Sequence, residues 1–166
     1  MQKLNKDVLN TFELTLVGEM DELFKLQIIA PSLQLMGAGF KFRHIPPLTQ
    51  PDLHAELANH DLGLAFEPGK DLNNNLALSN KIIAYAQAGL FILATDTPAQ
   101  RDFMEKNLWS GLICGQSVDQ ITGALVHCIE KANEIGMQKT KRYHLGKNLS
   151  WEKESKIISA LFFDER

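Results

Sequence analysis

Between Leu76 and Ala99 the chain reads as a polar approach, a helix, a glycine stop at Gly89, a short apolar strand and the start of a second helix at Thr97-Pro98. A continuous apolar run between two helical patterns belongs to a parallel strand covered by helices rather than to a hairpin. A helix that starts from a polar loop at the carboxyl edge of such a sheet presents free N–H groups and the positive end of its dipole. That is a place to hold a phosphate.

The rest of the chain repeats this alternation. Phe12 to Gly18 is a strand ended by glycine, and a helix follows from Asp21 to about Met36, carrying Leu23, Phe24, Ile28 and Leu35 and ended or bent by Pro31. Phe40 to Ile45 is a strand that Pro46-Pro47 terminates, and Pro51 opens a small helix to Asn59 with Leu53 and Leu57 turned inward. Leu62 to Phe66 is a strand buried on both faces, and Lys70 to Ser79 is a polar loop. Asn80 to Ala88 is a helix and Leu90 to Thr95 the next strand. Thr97 and Gln100 form a capping box for a helix to Lys106. Gly111 to Cys114 is a fifth strand, after which Ser117 and Gln120 open a helix whose buried stripe is Val118, Ile121, Leu125, Cys128, Ile129 and Ala132. Beyond Gly136 the chain turns polar, and Ser150 caps a last helix with Ile157, Ile158, Leu161 and Phe162 on one side.

Short connections between alternating strands and helices imply right-handed crossovers. The expectation is an α/β fold: a Rossmann-like, doubly wound, mainly parallel sheet of about five to six strands with helices on both faces. Residues 1–166 form one domain in this reading, a size that buries one good core.

Composition removes several classes. A formal charge of −3 lacks the basic stripe of a nucleic-acid binder. The longest basic run, Lys139-Thr-Lys-Arg142, reads as a solvated helix face. The two cysteines, Cys114 and Cys128, make no disulfide framework and read as buried, inert thiols. Five scattered histidines offer no metal-ligand spacing, so no metal is expected. No segment is apolar enough to span a bilayer and the first residues lack a signal peptide's core, which points to the cytoplasm. Trp109 and Trp151 read as core or interface anchors, and Asp96 as turn chemistry.

The run Asn80-Lys-Ile-Ile-Ala-Tyr-Ala-Gln-Ala-Gly89, followed by Phe91-Ile-Leu-Ala-Thr-Asp96, resembles the carboxyl-terminal, nucleotide-sugar-binding domain of GT-B fold retaining glycosyltransferases of the glycosyl transferases group 1 type. Phe12 to Gly18 is similar to that domain's first strand, His60-Asp-Leu-Gly-Leu-Ala65 to a later strand, Gly111-Leu-Ile-Cys114 to a late one, and Ser150-Trp-Glu152 to the start of its final helix. The likeness extends from Phe12 to Phe162. It implies a donor-binding half whose amino-terminal acceptor domain lies outside these residues, and a nucleoside-diphosphate sugar as donor substrate, with no cofactor. The family's two glutamates, seven residues apart, fall at Leu76 and Ala84 here.

By the same resemblance, Lys81 would lie against the diphosphate, with the amides of Ser79 and Asn80 beside it. Gly18 would be the point where backbone approaches the donor, and Glu67 would face the donor sugar. The plainer readings stand beside these: Lys81 a solvated first-turn lysine, Ser79 and Asn80 N-caps, Gly18 a turn glycine. Tyr85 reads as packing; Gln87, one turn after Ala84, could reach ribose in its stead, but this is the less favoured reading. No residue is assigned a catalytic role. The leading expectation is a domain of an enzyme moving a sugar to a carbohydrate or lipid-linked acceptor. The alternative is a catalytically degenerate GT-B-like binding or scaffold module, a homodimer for instance, which Leu76 and Ala84 favour. A nucleotide-sugar epimerase of similar fold comes third.

Overall fold

The computed structural model describes residues 12–153 apart from 38 and 71, together with residues 155, 156 and 159. It divides into two compact units, one up to Leu53 and one from His54. The helical positions Ile157, Ile158, Leu161 and Phe162 lie outside the described residues.

In the first unit β1 (Glu13–Val17) pairs in parallel with β2 (Lys41–Ile45), Leu14 opposite Phe42 and Leu16 opposite His44. The connection is one helical run in three parts: α1 (Glu22–Phe24), a π-helical stretch Lys25–Ile29 and α2 (Ala30–Met36). Asp21 caps it, its carboxylate accepting the Phe24 N–H at 2.9 Å. Pro31 does not end the helix. It sits inside the continuous helical run, directly after the π-helical stretch, where the widened turn absorbs the hydrogen bond and the space that a proline takes from a regular ladder. Leu23, Phe24, Ile28 and Leu35 are all exposed in this run. Gly37, with φ +88°, ends it.

The chain continues through α3 (Gln50–Leu57), which starts one residue earlier than proline placement implies because Thr49 and Asp52 cap each other. The second unit holds three parallel strands in the order β3 (Leu62–Ala65), β4 (Phe91–Thr95), β5 (Gly111–Cys114). The polar loop expected before Ser79 contains a short helix, α4 (Leu72–Leu76). α5 (Asn80–Gln87) and α6 (Pro98–Lys106) supply the crossovers. α7 (Val118–Glu130) follows β5, begun by the expected Ser117–Gln120 capping box. The described strands thus form two parallel sheets of two and three strands, not a single sheet of five or six.

Alternation along β4 splits the core of this unit in two. Ile92 and Ala94 point to one face, where Ala65, Ile82, Ala86, Phe103 and Met104 meet them from β3, α5 and α6. Leu93 points to the other face, against Cys114, Cys128 and the partly buried Leu62, Leu64, Ile121 and Leu125. The stripe on α7 is shorter than its spacing implies: Val118 is 75% exposed, and Ala132 is exposed in the next helix.

The polar tail is more ordered than its composition implies. α8 (Ala132–Met137) and α9 (Lys139–Gly146) follow α7, then a 3₁₀ turn, Lys147–Leu149. The run from Lys139 to Arg142 is a solvated face only in its middle: Thr140 and Lys141 are exposed, and its two ends turn inward. Lys139 donates to the Ala58 and His60 carbonyls, each at 2.6 Å, and Arg142 is buried among main-chain acceptors. Lysine and arginine stems pack well on apolar surface when carbonyls receive their heads, and sequence cannot show the carbonyls. Trp109 packs on the core, while Trp151 is exposed and anchors nothing described.

Gly146 closes α9 against α5, where a Cβ would run into the Ala86 carbonyl. Gly146→Ala is therefore expected to lower stability by about 1–3 kcal/mol. Gly123, mid-helix in α7 with open space around it, gives the opposite sign: Gly123→Ala should add roughly 0.5–1 kcal/mol. Urea unfolding of both variants checks the pair.

Candidate functional site

The carboxyl ends of β3 and β4 are joined by one hydroxyl. Thr95 Oγ1 accepts the Glu67 N–H at 2.8 Å, donates to the Glu67 carbonyl at 2.8 Å and accepts from Gln100 Nε2 at 3.2 Å. A threonine hydroxyl has one hydrogen and two lone pairs, so its capacity is filled. Thr95 thereby fixes the backbone at Glu67, the first residues beyond β3.

Glu67 turns its mostly buried carboxylate to Lys81, whose Nζ lies 2.9 Å from Oε1. Lys81 stands in the first turn of α5 and is half exposed. Ser79 is the N-cap residue by its extended backbone (φ −66°, ψ 134°), yet no side chain caps the helix. Ile82 N–H takes the Ser79 carbonyl at 3.1 Å, which leaves the amides at Asn80 and Lys81 directed outward from the helix end. Four of the expected residues, Glu67, Ser79, Asn80 and Lys81, thus meet at one place. Gly18 belongs to the first unit.

A second ion pair marks the same edge. Asp96, just past β4, receives Arg101 Nη2 at 2.7 Å and Nε at 2.9 Å, while its carbonyl accepts from Gln116 Nε2 at 3.4 Å. Sequence reasoning reads Asp96 as turn chemistry and passes over Arg101 and Gln116. Arg101 comes from the first turns of α6, five residues on, whereas Gln116 reaches Asp96 only because β5 pairs with β4. The predicted Thr97–Gln100 capping box is absent: Gln100 spends its amide N–H on Thr95, and Thr97 makes no side-chain cap.

Other expectations divide plainly. Tyr85 packs against Gly63, and burial pushes its hydroxyl pKa up, so it is structural. Gln87 sits at the far end of α5 with its amide given to the Leu149 carbonyl at 3.0 Å, and cannot serve as a ribose ligand at the helix start. Leu76 is exposed at the end of α4, and Ala84 is half-buried on α5. Neither can accept a hydrogen bond through its side chain. Among the described residues no group of three or more His, Cys, Asp or Glu could hold a metal ion. No helix of the described residues is long and apolar enough to cross a membrane.

In the first unit a crevice of about 260 Å³ opens beside Gly18, lined also by Glu19, Asp21, Phe24 and His44. Gly18 has φ +135°, its N–H bonds the Ile45 carbonyl at 3.0 Å, and its own carbonyl accepts from His44 Nε2 at 2.9 Å. Glu19 and Asp21 give the crevice a negative lining that disfavours a diphosphate.

Both thiols are free and buried. Burial first, and then the neighbouring Cys114, push the Cys128 pKa up to about 11. Comparison with protein-family models and with curated proteins finds no match to this chain.

Three expectations follow from this geometry. Thr95→Val keeps the shape and removes the hydroxyl shared by Glu67 and Gln100. Leaving those buried groups unpaired should cost about 1–3 kcal/mol in a denaturant melt. At pH 8 neither thiol should react with a disulfide reagent until the chain unfolds, because the neutral thiol is not the nucleophile. The raised Cys128 pKa also carries a sign. The unfolded chain releases that proton near pH ~8.5 and the folded chain near 11, so its contribution to stability is lost as pH rises through this window. Thiol titration of native and urea-unfolded protein tests both statements.

Proposed function

We propose that this chain binds a nucleoside-diphosphate sugar, as the donor-binding part of a GT-B-type glycosyltransferase. The observation that carries the reading is the Lys81–Glu67 pair at the uncapped start of α5, on the carboxyl side of a parallel sheet. In open α/β sheets, ligands settle at that edge. The Rossmann-like, doubly wound design belongs to the same proposal, and the β3–β4–β5 unit with helices on both faces supports it.

In this reading the diphosphate lies on the amides near Ser79 to Lys81 and against the Lys81 ammonium. Charge builds on the departing nucleoside diphosphate as the sugar leaves, and a helix dipole with a fixed cation stabilises it without metal or other cofactor. Glu67 holds Lys81 in place and presents its second carboxylate oxygen to sugar hydroxyls. The sugar passes to a carbohydrate or lipid-linked acceptor held by a separate, amino-terminal domain, and the cytoplasm is the expected compartment. A degenerate binding or scaffold module is the second reading. Leu76 and Ala84 favour it, because neither offers an acceptor where the family resemblance places glutamates.

Isothermal titration with uridine, adenosine and guanosine diphosphates separates the two. At least one should give measurable heat, and Lys81→Ala should weaken it about tenfold, as expected on losing a charge-assisted contact of ~1–2 kcal/mol. Glu67→Gln should strengthen binding of the bare diphosphate by freeing Lys81 from its competing carboxylate. No heat at millimolar ligand would dismiss the donor site. A stable homodimer in analytical ultracentrifugation would then support the scaffold.

A further inference from the structure

At the opposite, amino-terminal edge of the same sheet, Arg142 is only 3% exposed, and no carboxylate lies within 4 Å of it among the described residues. Its Nε donates to the Gly89 carbonyl at 3.0 Å and its Nη2 to the Ile135 carbonyl at 2.7 Å. The guanidinium stands 5.7 Å from the centre of the Phe91 ring, and the Asp61 carboxylate reaches it only through its charge. These two bonds use two of the five N–H donors of a guanidinium. A buried cation without an adjacent counter-ion is expensive, and carbonyl dipoles offset that only in part.

Beside this guanidinium lies a cavity of about 170 Å³, lined also by Phe91, His127, Lys131, Glu134 and Gln138. Cavities of that order admit a benzene-sized guest. Glu134 is the one carboxylate in the lining, and Lys131 Nζ neutralises it at 2.8 Å. Arg142 is therefore the charge in the lining that no adjacent carboxylate among the described residues pairs with.

We propose that this cavity is a binding site for a small oxyanion of phosphate size. Arg142 is the buried anchor, Lys131 the outer cation, and Gln138 a neutral polar wall. The site is too small for a nucleotide and lies at the other end of β4 from Lys81, so it does not rest on the donor reading. An anion here would tie α7, α8 and α9 to the start of β4, and would stabilise the fold in proportion to its concentration.

Thermal unfolding of the full chain in inorganic phosphate, against chloride at matched ionic strength, tests this. Phosphate should raise the melting temperature of the native sequence and of Lys81→Ala alike. Arg142 variants lose main-chain bonds and can fail to fold, so half-exposed Lys131 is the probe. Lys131→Glu should weaken apparent phosphate affinity about tenfold or more, as expected when one charge-assisted contact becomes a repulsion. Glu134→Gln should strengthen it. The proposal is overturned if phosphate does not stabilise the native chain, if Lys131→Glu leaves the phosphate effect unchanged, or if Lys81→Ala abolishes it.

Discussion

Burial of β4 on both faces is the constraint on which the second unit depends. Ile92, Leu93 and Ala94 have no exposed surface, and each edge of the strand is hydrogen-bonded, to β3 on one side and β5 on the other. A strand so enclosed cannot satisfy a polar side chain within it, so polarity is pushed to its ends. Thr95 is the first residue where a hydroxyl finds partners, and it uses all of its bonding capacity there. Gly89 marks the other end, where φ of +73° lets the chain leave α5 and where the Arg142 guanidinium takes its carbonyl.

Charge follows the same division. At the carboxyl edge the charges are paired and reachable: Lys81 with Glu67, Arg101 with Asp96. Both cations are half exposed; a solvated pair such as Arg101–Asp96 contributes little to stability, roughly 0–1 kcal/mol, so it can rearrange around a ligand at small cost. At the amino edge the cation is buried and bound to carbonyls, a different device that ties helices together. Chemistry that requires exchange of partners suits the first edge, and occupancy that supports the fold suits the second.

Much of the architecture was legible because periodicity reports burial directly. The five strands, the helix stopped by Gly89 and the capping box at Ser117 follow from local patterns and meet their expected positions within a residue or so. Where a side chain has two outlets, local pattern does not decide between them. Gln100 could cap a helix or reach Thr95, and only the neighbouring strand supplies the second option. Lys139 to Arg142 has the composition of a solvated face, yet its two ends, Lys139 and Arg142, become an internal clasp because carbonyls at Ala58, His60, Gly89 and Ile135 lie in reach. In the candidate site, Ser79, Asn80 and Lys81 were visible together as a helix start, whereas Arg101 and Gln116 carry no periodic signal.

The sequence by itself determined the α/β class, the parallel direction of the strands and the helix start that carries Lys81, because each follows from short-range spacing of apolar and capping residues. Tertiary structure alone decided that Glu67 pairs with Lys81, that Thr95 ties β3 to β4 and that Arg142 lies buried beside a cavity. Those outcomes join residues far apart along the chain, and their partners are often backbone carbonyls. Carbonyls are the same at every position, so no pattern of side chains reveals which one a cation will find.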